Sequence, residues 1–275
     1  MRWAIVGLGF ISPKHIQGIN DSGGRLMATC DIDKSKATIG TIPFWEDFKS
    51  MVEIPYFEEN IDAVAICTPN YLHAEMVEKC IEKGKKVLCE KPFSIDTNFA
   101  TCYQHQVGVV LQLRHHPEII KLREKGIKGN GKIIVKVFRD ESYWSGWKGD
   151  EKKSGGILLN IGVHYLDLLQ YLAGFNGAMT IHKSYYSSKL AKGKIEINGH
   201  KFEYHFEIMD TNKGQDRIFE INGKEISLSK KDNLSFEGLH IEVYKDFVRG
   251  KVVSPEEAYK SINIVNQLKC FAKNA

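Results

Sequence analysis

The 275 residues, 43% hydrophobic and 26% charged, are enough for two domains and place the chain among soluble globular proteins. With 38 Lys and Arg against 34 Asp and Glu the formal net charge is only +4, and no basic stripe with interleaved aromatics marks a nucleic-acid surface. The amino terminus enters an apolar strand with no charged-then-apolar leader, and no apolar run approaches bilayer length, so a cytoplasmic protein without membrane or nucleic-acid partners is expected.

The first apolar run, Trp3-Ala4-Ile5-Val6, breaks into Gly7-Leu8-Gly9 and then into helix-like sequence from Ser12-Pro13. This is the strand, loop and helix of a Rossmann unit. Gly7 permits the tight turn, Gly9 lets backbone N–H groups approach a pyrophosphate, and the helix aims its positive end at that group. Ser12 replaces the third glycine of the fingerprint and is small enough for close helix–strand packing. A second run, Arg25 to Asp31, ends in an acid about 20 residues after the glycines, where ribose hydroxyls are held. The Asp31 carboxylate repels a 2′-phosphate and favours NAD over NADP, while Lys34 and Lys36 nearby leave NADP open.

Ile61 to Asn70 is a near-continuous apolar strand, as in a parallel sheet covered on both faces. It ends in Thr68-Pro69-Asn70 at the carboxyl edge, where such sheets bind ligands. Tyr71 to Cys80 reads as a helix with His73 in its first turn, at most a contact at the cofactor's edge. The strand Lys86-Val87-Leu88 runs into Cys89-Glu90-Lys91-Pro92, which sets a lysine where substrate meets cofactor. A short helix is expected around Thr97 to His105 and a last strand over Val107 to Leu113, closing a dinucleotide-binding domain of residues 1–114.

From residue 115 to 275 the rhythm changes. Short strands at Lys132–Arg139, Thr180–Ser188, Lys194–Ile197, Phe202–Met209, Arg217–Ile221 and Glu225–Ser229 are separated by Asn-Gly and Lys-Gly turns, a pattern that predicts a mostly antiparallel open sheet. Helices over Ile157–Ala173, Leu239–Arg249 and Pro255–Ala272 are expected to cover one face, giving an α+β domain. Asn160 and His164, four apart, and Asp167, three further on, share one helical face directed to a single cleft or interface. Arg114, Arg123, Lys148, Lys152 and Lys153 offer charge to an anionic substrate such as a nucleotide diphosphate. The six cysteines, at 30, 67, 80, 89, 102 and 270, have no metal spacing and read as reduced thiols, and His115-His116 lacks partners at ligand spacing, so no metal is expected.

Gly7-x-Gly9, Ala65-Ile66-Cys67-Thr68-Pro69-Asn70-x-x-His73 and Cys89-Glu90-Lys91-Pro92, in that order, resemble the glucose–fructose oxidoreductase, inositol dehydrogenase and MocA family. Ser154 to Asp167 is similar to that family's glycine-led helix with its acid-x-x-x-His pair, so the resemblance spans nearly the whole chain. Leu111 to Pro117, Trp144 to Asp150, and Asn160 in place of aspartate resemble the bacterial branch that oxidises the 3-hydroxyl of UDP-N-acetylglucosaminuronate for surface polysaccharide. The resemblance implies that Gly7, Gly9, Phe10, Ile11, Asp31, Thr68, Pro69, Asn70, His73, Glu90, Lys91, Gln112, Trp147 and Lys148 line the cofactor. It implies that Lys91, Arg114, Ser154, Gly155, Asn160 and His164 meet the substrate, and that the free face of the second sheet joins a homo-oligomer, dimer or tetramer. The segment between Asp31 and Asp62 is compressed relative to the family.

Oxidising an alcohol removes a hydroxyl proton as well as a hydride, so the site needs a base beside the carbinol carbon. His164 suits that role, with Lys91 stabilising the developing alkoxide and Asn160, unable to exchange protons, orienting its neighbours. Three readings follow: a sugar-nucleotide dehydrogenase, a dehydrogenase of a free sugar or inositol, and a non-catalytic dinucleotide-sensing regulator.

Overall fold

Trp3, Ala4, Ile5 and Val6 are at most 2% exposed, because β1 (Arg2–Val6) lies at the centre of a parallel sheet. In this computed structural model residues 1–37, 40–95, 106–175, 177–226 and 238–274 are described. Two units are resolved, one of Met1–Gln112 with Glu237–Ala258 and one of Leu113–Phe236 with Tyr259–Ala275.

In the first unit β1 is followed by α1 (Ser12–Asp21), β2 (Arg25–Cys30), β3 (Phe44–Trp45), α2 (Phe48–Glu53), α3 (Pro55–Asn60), β4 (Ala63–Ile66), α4 (His73–Glu82), β5 (Lys86–Cys89) and β6 (Val107–Val109). The strands run parallel in the order β3-β2-β1-β4-β5-β6, the order of a dinucleotide-binding sheet, so the direction of winding reverses between β1 and β4. Ligands of such sheets sit beyond the carboxyl ends of the strands at that point, where the Gly7 and Thr68 loops emerge. The last strand is shorter than its apolar run suggests, because Gln112–His115 winds into a 3₁₀ turn.

The second unit contains α5 (Pro117–Lys125), β7 (Gly131–Phe138), α6 (Glu141–Ser145), α7 (Glu151–Ser154), α8 (Val163–Ala173), β8 (Met179–Tyr186), β9 (Leu190–Ile197), β10 (His200–Met209), β11 (Asp216–Ile221) and β12 (Lys224–Ile226). Its sheet has the order β12-β11-β7-β10-β9-β8, antiparallel except where β7 and β10 pair in parallel. Ile133, Val135 and Val137 alternate with less buried residues along β7, which is the period-2 signature of a sheet with one packed face. Asn198-Gly199 and Asn222-Gly223, all at positive φ, close the β9–β10 and β11–β12 hairpins as the sequence predicts. The expected helix over Thr97–His105, Cys102 and the end of the strand beyond Ile226 lie outside the described residues.

The final helices are α9 (Leu239–Val248) and α10 (Pro255–Asn274). Sequence reading divided the chain at residue 114 and gave all that follows to the second domain, but α9 belongs to the first unit. The reason is apolar packing: Val243, Tyr244 and Phe247 join Trp3, Ile5, Ile19 and Leu26 in one core, with Trp3 5.0 Å from Tyr244 and 5.2 Å from Phe247 between ring centroids. Gly18 on α1 makes room, since a Cβ there would stand 2.4 Å from Tyr244 Cδ2. Fully buried side chains of this size contribute about 2–3 kcal/mol each. Among the described residues no helix is long and apolar enough to cross a membrane.

Candidate active site

The glycine turn is shaped by its neighbour loop. Gly7 has φ +91°, and a Cβ on it would lie 2.8 Å from the Cys67 carbonyl, so only glycine fits beside the loop that leaves β4. A Cβ on Gly9 would meet no protein atom within 4 Å, which leaves open space at the turn. Ser12 Oγ donates to the Gly9 carbonyl at 2.8 Å, so the residue replacing the third glycine locks the turn to α1. No side chain caps the start of α1 and no acid lies in its first turn; Ser12 N–H and Lys14 N–H donate to the Gly9 and Ile11 carbonyls at 3.1 and 3.0 Å, and Pro13 has no N–H.

Asp31, directly after β2, accepts from Leu8 N–H at 2.6 Å and Asp33 N–H at 2.9 Å, with Lys36 Nζ at 3.3 Å. Its carboxylate therefore stands at the turn, as expected for the ribose end of a dinucleotide. Phe10 and Ile32, 90% and 92% exposed, add apolar surface on the loops carrying Gly9 and Asp31. Open space, an uncapped helix, a fixed carboxylate and uncovered apolar side chains fit a dinucleotide such as NAD.

At the end of β4, Thr68, Pro69 and Asn70 form the next loop, with Asn70 buried. His73 is wholly buried, its Nε2 2.9 Å from the Thr68 carbonyl oxygen and its Nδ1 2.7 Å from that of Pro92. A neutral imidazole carries one N–H, so His73 donates to one of these carbonyls and lies against the other, and the side chain bridges the β4 and β5 loops rather than presenting a ring edge to cofactor. Burial lowers its pKa against the pull of these carbonyls.

Glu90, expected at the cofactor, faces inward. Its Oε1 lies 2.9 Å from His15 Nε2 on α1 and 3.4 Å from His240 Nε2 on α9, and its Oε2 accepts from Lys91 N–H at 3.2 Å. Burial raises its pKa, and the two imidazole contacts more than offset this, holding the carboxyl well below its usual range. His15 Nδ1 continues the chain to Tyr244 Oη at 2.9 Å. The anion thereby ties the dinucleotide helix, α9 and the Lys91 backbone together. Gln112, expected at the cofactor, is buried with its Oε1 unpartnered.

In the second unit the expected helix begins with a π turn over Leu158–Gly162 before α8. A π turn holds one residue more than an α turn, and Asn160 lies within it while His164 lies in the first turn of α8. Asn160 Nδ2 donates to Tyr143 Oη at 2.7 Å. Asp167 is buried: both its oxygens take the Arg114 guanidinium, at 2.6 and 2.7 Å, and Ser261 Oγ donates to Oδ1 at 2.6 Å. Arg114, expected at the substrate, is held in that pair and stacked on Tyr171 and Phe175. Ser154 is buried and accepts from Gly156 N–H, while Gly155, at φ +79°, closes α7 and accepts from Lys269 Nζ at 2.7 Å. Trp147 and Lys148 follow α6, with Lys148 Nζ 5.7 Å from the Trp147 ring and 6.0 Å from that of Tyr143. Sequence reasoning missed His15, His240 and Tyr143, whose spacing in the chain, unlike the glycine turn, carries no local signal.

Residues 1–107 match the family described as oxidoreductase family, NAD-binding Rossmann fold, and residues 130–265 match its C-terminal alpha/beta domain. Among curated proteins the chain is 30% identical over 190 residues to 2,7-anhydro-N-acetylneuraminate hydratase of Mediterraneibacter gnavus, covering 62% of this chain and 49% of that protein. It is 29% identical over 204 residues to D-glucoside 3-dehydrogenase of Escherichia coli, covering 66% and 56%. The chain thus spans about half the length of the curated relatives it matches. Among solved structures it is similar to the WlbA (WbpB) dehydrogenase of Thermus thermophilus in complex with NAD and alpha-ketoglutarate, at 27% identity and TM-score 0.81 over 95% of this chain and 92% of that one. The same dehydrogenase in complex with NAD and UDP-GlcNAcA gives 26% identity and TM-score 0.81 over 96% and 93%. Matched in both halves, the chain belongs to the GFO/IDH/MocA family of oxidoreductases.

Proposed function

We propose that the protein is a cytoplasmic NAD-dependent dehydrogenase that oxidises a secondary hydroxyl of a sugar nucleotide, the 3-hydroxyl of UDP-N-acetylglucosaminuronate, to a 3-keto sugar for surface-polysaccharide synthesis. The observation that carries this reading is the similarity, over 96% of the chain, to a dehydrogenase solved with NAD and UDP-GlcNAcA. The uncapped α1 and the Lys91 loop at the carboxyl edge of the first sheet support it.

Bound NAD supplies the acceptor for the hydride leaving the carbinol carbon. His164 takes the hydroxyl proton, and the Lys91 ammonium stabilises the alkoxide as it forms. Glu90 holds the Lys91 backbone in place, and Asn160 orients the substrate hydroxyl. Association of subunits through the free face of the second sheet belongs to the same proposal, and light scattering tests it.

The experiment follows absorbance of NADH and the mass of the sugar product after mixing protein and NAD with UDP-N-acetylglucosaminuronate, UDP-N-acetylglucosamine or myo-inositol, with and without 2-oxoglutarate as oxidant. A 3-keto product from the uronate, lost in Lys91→Ala and His164→Ala while NAD still binds, supports the reading. Turnover of inositol without preference for the UDP moiety selects the free-sugar alternative, which the similarity to D-glucoside 3-dehydrogenase favours. NAD binding without turnover of any substrate selects the regulator.

A further inference from the structure

Two arginines of the second unit differ in what neutralises them. Arg114 is spent on Asp167 in a buried two-point ion pair. Arg139, just after β7, donates Nη1 to the Phe138 carbonyl at 3.0 Å, and among the described residues no carboxylate lies within ion-pair distance of Arg139, Lys148 or Arg217. Its chain neighbour Asp140 is committed elsewhere, accepting from Ser142 Oγ at 2.6 Å and Tyr143 N–H at 3.3 Å to cap α6.

Tyr143 gathers this charge at one place. The Arg139 guanidinium carbon is 5.5 Å and Lys148 Nζ 6.0 Å from its ring centroid, and its hydroxyl takes the Asn160 amide at 2.7 Å. Burial lowers the pKa of Arg139, and Arg217 adds to this. Lys148 is lowered by desolvation and then by Arg139. Asp140 pulls on Arg139 from its place at the α6 cap without pairing with it, so the neighbouring cations repel one another, and an anion between them relieves that cost.

We propose that Arg139 and Lys148, held against Tyr143, bind the anionic group of the substrate, its uronate carboxylate or its diphosphate, beside Asn160. This rests on the sugar-nucleotide reading above. It replaces Arg114, whose guanidinium already serves Asp167, with a guanidinium free to take a carboxylate or phosphate in the same two-point geometry.

The test measures KM and kcat for UDP-N-acetylglucosaminuronate and UDP-N-acetylglucosamine, and calorimetric Kd for the uronate and for NAD, in Arg139→Gln, Arg139→Lys and Lys148→Gln. Arg139→Gln is expected to raise KM and Kd for the uronate about 10- to 100-fold, with NAD affinity within about threefold of wild type, and Arg139→Lys to recover part of the loss. A loss confined to the uronate assigns the site to the carboxylate, and an equal loss on both sugars assigns it to the diphosphate. Thermal unfolding checks each variant, and if Arg139→Gln does not fold, Arg139→Lys carries the test. Uronate binding within about twofold of wild type in the folded variants overturns this inference alone. Failure of the wild type to bind either sugar nucleotide overturns the substrate reading on which it rests.

Discussion

Arg114 and Asp167 meet fork to fork, Nε on Oδ2 at 2.7 Å and Nη2 on Oδ1 at 2.6 Å, with side chains 6% and 1% exposed. Both charges are out of water, and Ser261 and the rings of Tyr171 and Phe175 complete their surroundings. Such a pair adds little over a well-packed apolar replacement, but losing one member leaves the other buried and uncompensated.

Asp167→Ala should therefore destabilise the protein by about 3–5 kcal/mol. Denaturant unfolding would show it as a drop in midpoint. A loss below about 1 kcal/mol, or a KM effect without a stability effect, would return Arg114 to the substrate.

A second expectation concerns acid. Burial pushes the His73 pKa below its ordinary 6.5, so the ring stays neutral in the fold at pH values where the unfolded chain has charged it. Below about pH 6.5 the unfolded state then binds more protons, and the stability this group contributes, full above that value, is lost as pH falls toward the folded pKa. Urea midpoints taken from pH 8 to pH 5 should fall, and His73→Gln should reduce that slope. An unchanged slope in the variant would show that other groups, such as His15, whose pKa burial also lowers, carry the whole dependence.

At the dinucleotide turn, Asp31→Ala removes the acceptor of the Leu8 and Asp33 amides and the carboxylate assigned to the ribose. NAD affinity should fall about 10- to 100-fold, the worth of one or two hydrogen bonds to a charged group. Calorimetry with NADP alongside should show a smaller loss for NADP, and equal losses would mean that Asp31 only shapes the loop.

Thiol reactivity separates the cysteines. Burial raises Cys67 and Cys89 well above the ordinary thiol range and takes Cys30 to about 12, whereas Cys270 is exposed. Iodoacetamide on the native protein at pH 8 should label Cys270 before any of the other described cysteines, read by peptide mass spectrometry. Early labelling of Cys67 would show that the loop beside Gly7 opens.

Much of the first unit was legible because its signals are local. Gly7 needs its positive φ within one turn of β1, and the apolar runs of β4 and β5 declare a sheet covered on both faces. The place of α9 was not legible, since it depends on Tyr244 finding the notch at Gly18, more than 200 residues away in the chain. The π turn before α8 was not legible either, because no propensity announces it. Arg114 and Arg139 look alike as letters. Only the partner each finds, the Asp167 carboxylate for one and the ring of Tyr143 for the other, tells them apart.

The late arrival of α9 bears on synthesis. Trp3 is made more than 200 residues before the rings it packs against, Tyr244 and Phe247. At about 5–20 residues per second the first sheet, complete once β6 is made, waits on the order of 5–30 seconds for α9 with one side of its core uncovered. Pauses in translation before α9 is made lengthen that exposure.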